Sequence, residues 1–138
     1  MIDIRLTAAV LDVAASYRRV TSPESGGINM FIGSVRSQTD GRAVQYLQFE
    51  AYNKMATREM KKIAEVASQK WSVHNILVHH RIGRLEVGEI PVIIAVAATR
   101  RQDAIKASHY IIDELKAVVP IWKKEVFEDG EVWVSSHP

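Results

Sequence analysis

Three lysines, Lys116, Lys123 and Lys124, stand on either side of Pro120. Proline cannot continue a helix, so the chain must bend there, between a helical pattern and the extended run Ile121-Trp122-Lys123-Lys124-Glu125. At about 100° per residue, Ile105, Ser108, Ile112, Leu115 and Val119 form one side of that helix, widened by Ala104, Ile111 and Val118. Lys116 falls at the edge of this apolar stripe, where a lysine either extends to solvent or points into a cleft. Along the strand, Lys123 shares a face with Ile121 and Lys124 with Trp122, so one of the two lies on the more buried side. If Lys123 turns back across the bend it meets Lys116, and two adjacent ammonium groups favour a neutral neighbour or a bound anion. Such a pair suits an anion cradle, or a nucleophilic or proton-transferring lysine. The competing arrangement leaves all three lysines solvated, two of them guarding a strand edge. The residues alone support both.

Two further basic spots bear on the same question. Arg36 ends the apolar run Phe31-Ile32-Gly33-Ser34-Val35, in which Gly33 allows close backbone approach. Arg100-Arg101 stands between a strand pattern and the last helix, where backbone amides favour anions and guanidinium groups grip phosphate in a bidentate fashion. Singly, each arginine fits a surface ion pair. Together they outline a phosphate-sized site at strand ends. Other chemistries lack their signatures: no Walker loop, GxGxxG or GxSxG is present. The histidines, His74, His79, His80, His109 and His137, form no HxxxH or HExxH pair, so no metal site and no cofactor is expected.

The elements that must position these groups follow from periodicity. Residues 2–6 alternate as a short strand, and 8–20 carry Val10, Leu11, Ala14 and Tyr17 at helical spacing. Ser22-Pro23-Glu24-Ser25-Gly26-Gly27 is a loop. Residues 28–35 and 44–52 read as strands joined by a short polar turn, hence a hairpin, with Val44, Tyr46 and Gln48 on one face and Leu47, Phe49 and Ala51 on the other. Ala56, Met60, Ile63, Ala67 and Trp71 mark an amphipathic helix over 53–71 with a Lys- and Glu-rich outer face. Strands at 73–80 and 90–98 flank a turn around Gly83 and Gly88. A helix spans 103–119, and strands 121–127 and 132–134 flank Asp129-Gly130, a hairpin signal. The pattern indicates an α+β fold with mostly antiparallel strands and two long helices.

Bulk composition narrows the class. Residues 1–138 read as one domain without repeat or linker, and 47% hydrophobic residues support a globular core. No apolar run reaches the length of a membrane span, and charges within Met1-Ile2-Asp3-Ile4-Arg5 argue against a signal peptide, so a cytoplasmic location and no membrane partner are expected. Cysteine is absent, which removes thiolate chemistry from this chain. Any sulfur it handles must arrive on another molecule. A net charge of +2 from 18 basic and 16 acidic residues leaves no broad footprint for nucleic acid.

From about residue 27 to 133 the chain resembles the large subunit of molybdopterin synthase. The resemblance is carried by Phe31-Ile32-Gly33-Ser34-Val35-Arg36, by Leu47-Gln48-Phe49-Glu50-Ala51-Tyr52 with Met55-Ala56, and by His80-Arg81-Ile82-Gly83 with Gly88-Glu89. It is most specific in Asp113-Glu114-Leu115-Lys116 running into Pro120-Ile121-Trp122-Lys123-Lys124-Glu125, followed by Gly130 and Trp133. It implies a hammerhead-like fold and conversion of cyclic pyranopterin monophosphate into molybdopterin. The sulfur would come from the C-terminal thiocarboxylate of a small ubiquitin-like subunit whose tail threads into the pocket. It also implies a homodimer of large subunits within a heterotetramer.

Carried over by position, Lys116 and Lys123 correspond to the catalytic lysines and Arg36 and Arg101 to pocket arginines. Ser34, Val35, Arg36, Arg100, Arg101, Lys123, Lys124 and Glu125 fall in the pterin-contacting stretches. One position departs from the pattern: many relatives carry His-Arg where this chain has Arg100-Arg101, and arginine does not shuttle protons near neutral pH. In the mechanism so implied, arginines hold the phosphate while Lys116 and Lys123 stabilise anionic intermediates and move protons. The same basic groups would equally serve a non-catalytic module that only receives an acidic tail or a phosphorylated ligand.

Overall fold

The computed structural model describes residues 1–130 and 132–135. Its elements are β1 (Ile2–Thr7), α1 (Val13–Val20), β2 (Gly27–Ile32), β3 (Gln38–Thr39), β4 (Arg42–Ala51) and α2 (Asn53–Lys70). They continue with β5 (Val73–Arg81), β6 (Gly83–Glu86), β7 (Val92–Ala98), α3 (Arg101–Val118), β8 (Ile121–Phe127) and β9 (Val132–Ser135). The first sheet has the order β1-β5-β7-β2, and only its β1–β5 pair is parallel. The second runs β3-β4-β8-β9, with β6 also on β4, and is antiparallel throughout. This is the α+β architecture that the periodicity indicates, with α2 and α3 as its two long helices.

β7 explains why the layers stack as they do. Every residue from Val92 to Ala98 is buried. Successive strand side chains point to opposite faces. Val92, Ile94, Val96 and Ala98 therefore join one apolar cluster and Ile93, Ala95 and Ala97 another. The first cluster also contains Ala56, Met60, Ile63, Ala64 and Ala67 of α2, Ile111 and Leu115 of α3, and Leu47, Phe49, Leu85, Ile121 and Phe127 of the second sheet. The second cluster takes Leu11 and Val20 from around α1. A sheet covered on both faces leaves its central strand no polar position, hence the uninterrupted apolar run. Truncating a wholly buried core residue such as Leu115 costs about 2–5 kcal/mol.

Four expectations are corrected. The first helix begins at Val13, not residue 8, because Asp12 caps it by accepting from the Ala15 amide, leaving Ala8 to Val10 as exposed loop. The strand starting near residue 28 ends at Ile32 and does not form a hairpin with β4; it pairs antiparallel with β7. An apolar central strand needs a neighbour on each side, and that long-range demand outweighs the local turn signal. In β4 a register irregularity between Val44 and Tyr46 puts Val44 in the core with Leu47 and Phe49, not beside Tyr46. Such a bulge inserts one residue and reverses the alternation. Finally, β6 is a four-residue strand with Leu85 as its one buried residue, too short to show periodicity.

Among the described residues no helix is long and apolar enough to cross a membrane.

Candidate active site

The C-terminal turn of α3 carries Ile112, Leu115 and Lys116 toward the second sheet. Leu115 is buried and anchors that turn, so Lys116 at the next position lies at the edge of the packed face with its side chain exposed. Val119 and Pro120 end the helix, and β8 returns alongside β4 with Ile121, Lys123, Glu125 and Phe127 on the inward face and Trp122 and Lys124 on the outward one. Between helix end and strand lies a cavity of about 410 Å³. This falls in the range of small-molecule sites, roughly 300–1,000 Å³.

Three walls enclose it. Lys116 comes from α3, and Val44, Leu47, Phe49, Lys123 and Glu125 come from β4 and β8. The third wall is the end of β2 and the irregular segment after it, with Ile32, Gly33, Ser34 and Arg36, floored by Pro91 and Val92. Gly33 has a steric role here. A Cβ at that position would sit 2.7 Å from Val92 Cγ1. Thr39 adds a second hydroxyl to the lining.

The electrostatics are asymmetric. Lys123 Nζ lies 3.2 Å from Glu125 Oε1, and both side chains are largely shielded, 22% and 11% exposed. The pairing follows from the strand, since residues two apart share a face. Glu125 Oε2 is buried with no hydrogen-bond partner among the described residues. Arg36 and Lys116 form no ion pair among them either. Three cations against one carboxylate leave the cavity a net positive site for an anion. No group of three or more His, Asp or Glu that could hold a metal ion occurs among the described residues.

Behind Phe49 stands His80, whose ring meets the Phe49 ring edge-on at 5.1 Å between centroids. It is fully buried, and burial pushes its imidazole down to about 4. Nδ1 lies 2.8 Å from the Arg81 carbonyl, so that nitrogen carries the proton and donates it, leaving Nε2 as an unpartnered acceptor. His80 is thus neutral at physiological pH and supports the wall instead of reaching the cavity.

The cavity therefore gathers Ser34, Arg36, Lys116, Lys123 and Glu125 from the sequence-derived set. It does not include Val35, Lys124, Arg100 or Arg101. Val35 is buried in the core, and the flanking Ser34 and Arg36 take the opposite side. Lys124 lies on the outward face of β8, paired in register with Gln48 and Val134. Arg100 and Arg101 begin α3 while Lys116 lies in its last turn. Fifteen residues of helix separate Arg101 from Lys116, about 22 Å along the axis. Val44, which joins Leu47 and Phe49 on the cavity wall, does not follow from the alternation, because the bulge in β4 leaves no mark in composition.

The MoaE protein family profile matches residues 6–118. The chain belongs to the MoaE protein family. The molybdopterin synthase catalytic subunit of Halalkalibacterium halodurans is 46% identical over 116 residues, 84% of this chain and 74% of that relative. The structure of molybdopterin synthase from Staphylococcus aureus superposes with a TM-score of 0.89 at 34% identity, covering 96% of each chain. A chain from the complex of subunits 1 and 2 of molybdopterin-converting factor from Helicobacter pylori shares the MoaE fold, with a TM-score of 0.77 at 22% identity over 99% of this chain and 93% of that one.

Proposed function

We propose that the chain is the catalytic subunit of a molybdopterin synthase. It acts as a sulfurtransferase, moving sulfur from the C-terminal thiocarboxylate of a small ubiquitin-like partner onto cyclic pyranopterin monophosphate and so building the dithiolene of molybdopterin. One observation carries the reading: Arg36, Lys116 and Lys123 face a single cavity, and two of the three have no counter-ion among the described residues. Both reactants, a phosphate ester and a thiocarboxylate, are anions. The family membership supports the same chemistry.

In this reading Arg36, with the hydroxyls of Ser34 and Thr39, holds the phosphate. Lys116, exposed at the rim, meets the incoming tail and stabilises the negative charge that develops as its sulfur attacks the pterin side chain. Lys123 is deeper and already oriented by Glu125, which suits it to deliver or accept a proton beside the reacting carbon. After each attack water hydrolyses the acyl–sulfur bond and the tail departs as a carboxylate, so two thiocarboxylated tails are used in turn for one dithiolene while the pterin stays. A cytoplasmic setting goes with this assignment.

The active assembly is proposed to pair two copies, each binding one small subunit, with Arg100 and Arg101 serving the neighbouring copy's cavity. The edge position of β2 supports this. It has β7 on one side and, among the described residues, no strand on the other, and Phe31 and Ile32 are 37% and 41% exposed at its end. Antiparallel pairing of β2 with the β2 of a second copy, centred on Met30 so that the outward groups of Ile28, Met30 and Ile32 meet, would set Gly27 of one opposite Gly33 of the other. A Cβ on Gly27 would lie 2.8 Å from Arg101 Cα, so Arg101 travels with Gly27. It would thereby arrive beside the other copy's Ser34 and Arg36.

The test is reconstitution. The chain, a thiocarboxylated small subunit and the pterin precursor should yield a dithiolene product. Lys116→Ala should lower the rate by roughly 10²-fold or more while the fold and partner binding survive. Near-normal turnover in that variant removes Lys116 from the mechanism. Tail binding without product in the unmodified protein leaves the non-catalytic binding module as the function.

A further inference from the structure

Two sequence blocks of the resemblance, His80-Arg81-Ile82-Gly83 and Gly88-Glu89, contribute no side chain to the cavity. Their arrangement nonetheless bears on it. Residues 33–36, which present Ser34 and Arg36, belong to no helix or strand, so their position depends on individual hydrogen bonds. Three backbone bonds hold them. The Gly33 amide donates to the Val92 carbonyl at 2.9 Å, the Val35 amide to the Glu89 carbonyl at 3.0 Å, and the Gly88 amide to the Val35 carbonyl at 2.9 Å. Both backbone polar groups of Val35 are thus tied to the dipeptide Gly88-Glu89. The side chains on either side of it face the cavity only while that peptide stays in place.

What holds 88–89 is Glu89. Its Oε1 accepts from the Glu86 amide at 2.6 Å and its Oε2 from Arg81 Nη1 at 3.0 Å. The Glu89 amide closes the same turn onto the Glu86 carbonyl at 3.0 Å, with Gly88 at φ +88°, a left-handed conformation that favours glycine. Arg81 is only 14% exposed and is itself fixed: its Nε donates to the Ala8 carbonyl at 3.3 Å and its amide to the Pro91 carbonyl at 2.7 Å. The chain of contacts runs from Arg81 in the first sheet, through Glu89, to the backbone of Val35, and ends at Arg36.

We infer that Arg81 and Glu89 are positioning residues of the site, a clamp that acts through the Val35 backbone to aim Arg36 at the phosphate of the substrate. The inference rests on the proposed role of Arg36 in phosphate binding. A partly exposed ion pair adds little to global stability. Its purpose is therefore sought in geometry, and misplacing a binding group by even about 1 Å is costly for a reaction that depends on orientation.

A double-mutant cycle in the reconstituted two-subunit enzyme tests this, with Glu89→Gln, Arg36→Ala and the double variant. Glu89→Gln keeps the shape but presents an amide where two donors converge. It is expected to raise KM for the phosphorylated pterin roughly 3- to 30-fold, with kcat and small-subunit affinity nearly unchanged. In the Arg36→Ala background the same substitution should add much less, leaving only the effect of the displaced Ser34 hydroxyl. Multiplicative effects in the double variant, or a silent Glu89→Gln beside a damaging Arg36→Ala, overturn the clamp and leave the role of Arg36 standing. A silent Arg36→Ala overturns that role, and the clamp with it. Thermal unfolding monitors folding of each protein. Should Glu89→Gln fail to fold, Arg81→Lys takes its place in the cycle, since an ammonium cannot span both Glu89 and the Ala8 carbonyl.

Discussion

Lys123 and Glu125 show how one strand can supply a cation and its counter-ion, and how the two cavity lysines differ in consequence. Removing Lys123 leaves the shielded Glu125 carboxylate with neither oxygen partnered, a situation that buried charges tolerate poorly. Lys123→Ala should therefore lose about 1–3 kcal/mol of stability, whereas Lys116→Ala, at an exposed position without an ion pair, should lose almost none. Adding Glu125→Gln to Lys123→Ala should restore much of the loss. Chemical denaturation of the three variants beside the unmodified protein checks this, and equal destabilisation by the two lysine substitutions defeats it. His80 gives a second prediction. Its imidazole lies near 4 in the folded chain against an ordinary 6.5, so between those values the unfolded chain binds a proton that the folded chain does not. The stabilisation is complete above pH 6.5 and lost as pH falls toward 4, up to about 3 kcal/mol. His79, also lowered by burial though partly countered by Asp3, acts in the same direction. His80→Phe should flatten the decline of melting temperature between pH 7 and 4, and an unchanged decline rules out His80 as its source.

Elements decide which of these residues meet. α2 and most of the packed face of α3 were legible in sequence, because 3.6-residue periodicity is a local signal and Ala56, Met60, Ile63, Ala67, Ile111 and Leu115 all fall in the core, whereas Ile105 and Val118, assigned to the same face of α3, are exposed. The meeting of Lys116 and Lys123 was only half legible: the bend at Pro120 allowed it, but the residues equally supported solvated lysines, and it is the cavity that brings the two together. What stayed hidden depends on contacts between distant segments. The partner of β2, the bulge in β4 and the turn that grips Val35 are set by packing against β7, β8 and β6, and no spacing within one segment records them. Gly33 lies between the two cases: its type is visible, but its reason, the approach of Val92, is not. Gly33→Ala must push the Val92 side chain aside or lift residues 33–36, at about 1–3 kcal/mol. Because both responses deform the cavity, KM for the pterin should rise together with the loss of stability. A variant that loses stability while keeping KM shows that the floor of the site adjusts without consequence.

At the scale of the whole molecule, a single chain leaves its cavity without the two arginines that the family resemblance assigns to it. The separation is fixed by the length of α3, so no side-chain rotation brings Arg101 to Lys116 of the same chain. The proposed pairing through β2 would resolve it, and a mixing experiment discriminates the two arrangements. Lys116→Ala and Arg101→Ala homodimers should each be impaired. If the site is shared between copies, a mixed dimer contains one cavity with both defects and one with neither. Exchanging subunits, or co-expressing the two chains with different tags, should then recover close to half of the unmodified activity per mixed dimer. If each chain used its own Arg101, every cavity in the mixture would carry one defect and mixing would recover nothing. Blocking the edge of β2 provides the complement: Met30→Pro, near the middle of the strand, removes a backbone donor on the side away from β7. It should yield a monomer that binds the small subunit but turns over as slowly as the Arg101→Ala dimer. Full activity in such a monomer would show that one chain completes the site by itself.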